Sequence, residues 1–298
     1  MTPVSKNKNK LSDPSVRQRL SFPVKAFLLF PLLLAFSAAG RCEETVIPAV
    51  PDHTDYREPV YVDLGYSYTR GNYGESVASE SHAKTLSFQW TAYDTDFLLS
   101  TSYLNRTAPA GTIITRVKKR ITVTPRLVSA SGQGDIYASA NREVLEDPAT
   151  AIAVNVVASV KIAAADAAKG LGTGKNDYSL GLTASYPLEK AMLSGGTKYT
   201  VLGDPGKLKV NGIQENIRFQ NVWSAYISLS TEFVPRNTSA ISFTAEQPSG
   251  SGTAYYQALE ISSSYRFSDS GGMRIFANKG MTQNSPDWSA GLGLYTSF

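Results

Sequence analysis

The chain has 298 residues, 42% of them hydrophobic, and a mean hydropathy of −0.18. That balance excludes a bundle of apolar membrane helices, because only the stretch from Ala26 to Ala39 is a continuous apolar run. The formal charge of +4 is concentrated in residues 1–40, where Lys6, Lys8, Lys10, Arg17, Arg19 and Lys25 stand against Asp13 for +5; the remainder carries −1 and lacks the basic excess of a nucleic-acid binder.

Residues 1–40 are predicted to be a cleaved export signal. A basic segment precedes the apolar core Ala26–Phe36, and the small residues Ser37, Ala38, Ala39 and Gly40 supply a cleavage site. The alternative is an uncleaved anchor, but the run falls short of the ~20 residues a spanning helix needs, and Pro31 interrupts it. Cys42 is the one cysteine, so no intramolecular disulfide forms. Lipidation of Cys42 calls for a small preceding residue, and Arg41 is not small. Residues 41–58 are polar, carry Pro48, Pro51 and His53, and form either a periplasmic tail or a short plug.

From Val60 onward the pattern has period 2. Val60, Val62, Leu64, Tyr66 and Tyr68 alternate with Tyr61, Asp63, Gly65, Ser67 and Thr69. The same alternation recurs at 85–93, 97–103, 135–141, 152–162, 177–186, 193–201, 223–233, 241–246, 258–267 and 273–278, and ends with Trp288–Phe298. That makes twelve strands, or fourteen if residues 107–131 hold one more hairpin; those residues also suit upward extensions of the flanking strands. Short turns (94–96, 146–149, 187–190, 234–238, 268–272) alternate with longer connections (71–82, 107–131, 164–176, 203–220, 248–254, 281–287). An antiparallel, up-and-down transmembrane β-barrel over 59–298 gives this alternation, with short periplasmic turns, longer outer loops and both ends on the periplasmic side. Aromatic residues then fall into two girdles: Tyr68, Tyr103, Tyr178, Tyr199, Trp223 and Trp288 near one rim, and Trp90, Phe97, Tyr186, Phe233, Tyr265, Phe267 and Phe298 near the other.

The opposite face of the strands is Ser, Thr, Gly and Asn with scattered charges. Asp63, Lys161, Lys198, Glu232, Glu246, Glu260, Arg266 and Arg274 are the lumen candidates. Eight strands leave room only for side chains and 16–18 enclose an open channel, so twelve predict a narrow lumen. The charges either set a field across a selective passage or neutralise one another in a filled interior. Arg116, Lys118, Lys119, Arg120 and Arg126 make 107–131 basic, suited to an inward constriction or to solvent and anionic headgroups.

Catalytic and cofactor motifs are missing from the sequence. Lys169–Lys175 has three residues between Gly170 and Gly174, and Asn176 follows Lys175; a P-loop needs four, then Ser or Thr. Ser81 and His82 are neighbours on a strand, so their side chains leave on opposite faces and cannot act as nucleophile and base. No metal-ligand spacing is present. The expectation is a protein that is not an enzyme and binds no cofactor.

Four segments carry a family resemblance: Gly134–Ser139, Gly170–Gly181, Tyr199–Pro205 and Ser285–Gly293. Together they resemble the outer-membrane proteins grouped as "putative MetA-pathway of phenol degradation", over roughly residues 60–298. The resemblance implies a 12-stranded barrel in a bacterial outer membrane that passes small molecules, small aromatic or hydrophobic compounds among them. Outer-membrane lipid and lipopolysaccharide are its implied surroundings, and the terminal Phe298, common in such barrels, implies contact with barrel-assembly machinery. An occluded barrel with a structural or surface-binding role is the alternative.

Overall fold

A computed structural model describes residues 60–73, 77–117, 120–210, 213–250 and 254–298. The export signal and the segment 41–58, with Cys42 and His53, lie outside the described residues, as do Lys118 and Lys119. Fourteen strands are described: β1 (Tyr61–Gly71), β2 (Ser79–Ala92), β3 (Thr95–Val117), β4 (Arg120–Asp147), β5 (Ile152–Ile162), β6 (Asp177–Pro187), β7 (Ala191–Val201), β8 (Gly206–Val210), β9 (Ile213–Ile217), β10 (Val222–Val234), β11 (Asn237–Glu246), β12 (Tyr256–Arg266), β13 (Gly271–Gly280) and β14 (Trp288–Ser297). Twelve of them close into one antiparallel barrel in chain order, and β8 and β9 pair only with each other. The seam joins β1 to β14 from Tyr61↔Ser297 to Arg70↔Trp288. Phe298 extends it, its amide donating to the Val60 carbonyl at 3.1 Å.

The barrel is apolar outside and polar inside. Leu64 and Leu180 are each 61% exposed and Ile261 59%, whereas Asp135 and Ser289 are 1% exposed. Water would penalise that outer belt; hydrocarbon accepts it, and hydrocarbon also demands that no strand edge stay open. Closure is therefore the consequence of the period-2 pattern. Aromatic pairs mark the two ends of the belt. Trp90 stacks on Phe97 at 5.4 Å beside a short turn, while Tyr68–Trp288 and Tyr199–Trp223 sit at 5.0 Å near the longer loops.

Residues 107–131 add no strands to the wall. They extend β3 and β4, which stay paired to Val117↔Arg120. Pairing of β3 with β2 stops at Glu80↔Thr107, so the arm beyond is a free two-stranded ribbon. At about 3.3 Å per residue it reaches roughly 30 Å past that point. The connection 203–220, by contrast, is not wholly a loop. It holds the hairpin β8–β9, which lies beside a 3-10 turn at Ala167–Lys169. At the opposite end the turns are tight. In the β4–β5 turn the Asp147 carboxylate accepts from the Thr150 hydroxyl at 2.7 Å and the Ala149 amide at 3.1 Å, and these two bonds hold it below the usual carboxylate range.

Candidate functional site

Cross-strand register groups the charged residues on the face opposite the apolar belt. Lys198 on β7 and Glu246 on β11 are both register partners of Ser224 on β10, so the three side chains form one row. The Lys198 ammonium is the cation whose field reaches Glu246. A second pair forms across β1, β14 and β13. The Asp63 carboxylate lies over Gly293, whose own partner is Arg274, and the guanidinium field reaches Asp63. The Arg274 Nε is buried with no hydrogen-bond partner among the described residues. Arg266 lies nearer the short-turn end, within electrostatic reach of Tyr61 and Tyr295. Glu260 stands between Ser242 and Asn278 in register. Glu232 is exposed, and its carboxylate accepts the Arg236 amide at 2.7 Å, which fastens the β10–β11 turn.

Glycines on this face make room for rings. A Cβ at Gly291 would collide with the Phe276 ring, one at Gly272 with the Tyr295 ring, and one at Gly196 would stand 2.8 Å from the Tyr226 ring. Each ring thus lies across a neighbouring strand's glycine, along the wall rather than upright from it. That posture lays large aromatic side chains along the inner face of the wall.

The long-loop end contains a buried ionic lock. Lys161 Nζ lies 2.7 Å from Asp177 and 3.6 Å from Asp135, and donates to the Thr173 hydroxyl at 3.1 Å. The Asp135 carboxylate accepts the amides of Ala164 and Ala165 at 3.0 and 2.9 Å, and Asp177 accepts the Gly203 amide at 2.8 Å. One lysine and two aspartates therefore fasten the β5–β6 connection and the start of the β7–β10 connection to the wall. Only glycine fits several of these approaches: a Cβ at Gly172 would press on Ala165 and Asp135, and one at Gly203 would strike the Asn176 carbonyl. Arg106 donates to the Gly170 carbonyl at 3.3 Å, and Leu171, 3% exposed, packs on Gly132 of β4. The loop thus folds against the inner side of the wall.

Of the eight sequence candidates, Lys161 belongs to this lock, and Asp63–Arg274 and Lys198–Glu246 form two facing pairs. Asp135 and Asp177 were not among the eight, although both sit at inward positions of the alternation. Three of the four segments that carry the family resemblance meet at the lock, through Asp135, the 170–177 run and Gly203. In the fourth, Ser285 exchanges hydrogen bonds with Gln257, accepting its amide at 2.9 Å and donating to its carbonyl at 2.8 Å. His82 sits on the outer surface, with the Tyr66 hydroxyl 2.7 Å from its Nδ1 and the Tyr68 ring at 4.9 Å.

No family model matches the sequence, and no curated protein matches it. Solved structures do match the fold. An outer membrane channel from Pseudomonas putida F1 superposes with a TM-score of 0.60 at 12% identity, covering 87% of this chain and 100% of the other. The translocator domain of the autotransporter NalP from Neisseria meningitidis gives 0.51 at 11% identity, covering 83% and 90%. What the chain shares with both is the fold, a closed β-barrel.

Proposed function

We propose that the chain is a bacterial outer-membrane channel that passes small molecules. One observation carries this reading: the closed twelve-stranded wall presents an inner face of hydroxyl and charged side chains, and every described strand belongs either to that wall or to the β8–β9 hairpin. A wall of this size leaves more space than side chains alone need. Its lumen candidates are the facing pairs, with Lys198–Glu246 and Asp63–Arg274 setting the field a solute meets. The rings of Tyr226, Phe276 and Tyr295, flat on the wall, support small aromatic cargo, in line with the phenol-degradation family that the sequence resembles. Export by residues 1–40, recognition of Phe298 by assembly machinery and a lipopolysaccharide surround complete the reading.

A second reading has one observation in its favour. The inward-folded 163–176 connection, fixed by Lys161, suits an occluded barrel with a structural or surface-binding role.

Conductance of the refolded mature chain in a planar bilayer separates the two. The channel reading expects discrete, reproducible current steps with an ion preference. Glu246→Lys is expected to move that preference several-fold toward anions, and Lys198→Glu several-fold toward cations, because each reverses one charge in a confined field. Silence from correctly folded protein overturns the channel and leaves the occluded barrel.

A further inference from the structure

The outer wall carries a feature that conduction does not use. A concavity of about 630 Å³ opens on the apolar surface of β14, β1, β2 and β3. Its floor is Leu64, Leu86, Leu292 and Leu294, with the small Thr101 beside them. At the end nearer the long loops stands Lys84, flanked in register by Tyr66 and Tyr103. Gln133, the register partner of Tyr103, lines the same end. Lys84 is exposed on the apolar face and makes no ion pair with any described carboxylate.

A lysine near the rim of a hydrocarbon-facing wall snorkels to the headgroup layer, where the anions it meets are those of lipid. In register Lys84 shares a row with Leu292, Tyr66 and Tyr103, and the adjoining row toward the short turns is Leu294, Leu64, Leu86 and Thr101. A cation thus borders a leucine-rich strip, and the pair matches an amphiphile with an anionic head and an apolar tail. The concavity is open rather than enclosed, as a site that takes one chain from the surrounding lipid would be. The tyrosines at the head end have the amphipathic rings that settle at headgroup depth.

We propose that this groove binds one outer-leaflet phosphorylated glycolipid, lipopolysaccharide, with a lipid phosphate on Lys84 and one acyl chain along Leu64, Leu86, Leu292 and Leu294. The assignment rests on the outer-membrane reading for its orientation, since the long-loop end must face the outer leaflet. It does not depend on an open lumen.

The test is native mass spectrometry of the folded mature chain, titrated with deep-rough lipopolysaccharide, with the same lipid after phosphatase treatment, and with phosphatidylglycerol. The expected result is a 1:1 adduct with the intact lipid, weakened about ten-fold or more by dephosphorylation or by Lys84→Gln, the size of one charge-assisted hydrogen bond. Thr101→Trp, which fills the groove and leaves Lys84 in place, is expected to weaken it likewise. Equal binding of phosphatidylglycerol, or an adduct indifferent to both substitutions, overturns the proposal. Bilayer conductance of Lys84→Gln is expected to equal that of the unaltered chain. A silent barrel that still binds the lipid through Lys84 separates failure of the channel from failure of this site.

Discussion

Lys161→Met is expected to destabilise the barrel by about 3–5 kcal/mol, because it leaves carboxylates buried without their cation. Both aspartates are at most 8% exposed as residues. Their remaining donors are backbone amides of the two connections they hold, so those connections loosen with the charge pair. Urea unfolding followed by tryptophan fluorescence and by heat-modifiable gel mobility measures the loss. Substituting Asp135 and Asp177 with Asn in the Lys161→Met background removes the stranded charges and is expected to recover part of it. A Lys161→Met protein with unchanged unfolding would mean that water reaches the lock. The substitution also tests the occluded reading: if the 163–176 connection limits flow, the loosened variant conducts more.

The second large effect concerns the rings. Gly291→Leu is expected to abolish most of the single-channel conductance of an open barrel. The new side chain occupies the space that the Phe276 ring now takes, so the ring must stand up into the lumen. Adding Phe276→Ala to Gly291→Leu is expected to restore current, because the obstruction is the displaced ring. A Cβ at Gly291 also comes within 2.7 Å of the Tyr66 carbonyl across the seam, so the overpacking costs at least about 1–3 kcal/mol, and the current is read only from protein whose gel mobility is that of a folded barrel. Unchanged current in a folded Gly291→Leu barrel would place the narrowest point elsewhere.

The wall was legible from sequence because a barrel strand in hydrocarbon has one rule, alternation, and a single slip would turn leucine inward and serine outward. Leu64/Asp63, Ile261/Glu260 and Leu292/Gly291 each state that rule on their own. The long β3–β4 ribbon was harder. Beyond Thr107 the ribbon has left the wall, because the pairing with β2 ends there, so the alternation that marks a wall strand is no longer required. The β8–β9 hairpin did leave a signal: Asn211-Gly212 between alternating residues is the dipeptide that favours a two-residue turn. It was masked by the surrounding polarity of residues 203–220.

The candidate site was legible only as a list. Sequence placed Asp63, Lys198, Glu246 and Arg274 on one face, but strand order alone does not set the stagger between neighbours. It is that stagger which seats Lys198 and Glu246 on either side of Ser224. The lock was less accessible still. Asp135 and Asp177 lie 42 positions apart in the chain, and they meet Lys161 only because β4, β5 and β6 are consecutive in the wall. Their function as loop anchors comes from backbone amides, which carry no residue signature.

The β1–β14 seam has a consequence in time. Its ten register pairs join the first and last strands of the described chain, so no shorter piece can make them. Every intermediate that lacks the seam exposes two unpaired edges, and such edges recruit other chains. Contacts of that sequence separation form slowly. The barrel therefore reaches its protected state late, in one closing event, and β1 needs shielding until β14 arrives.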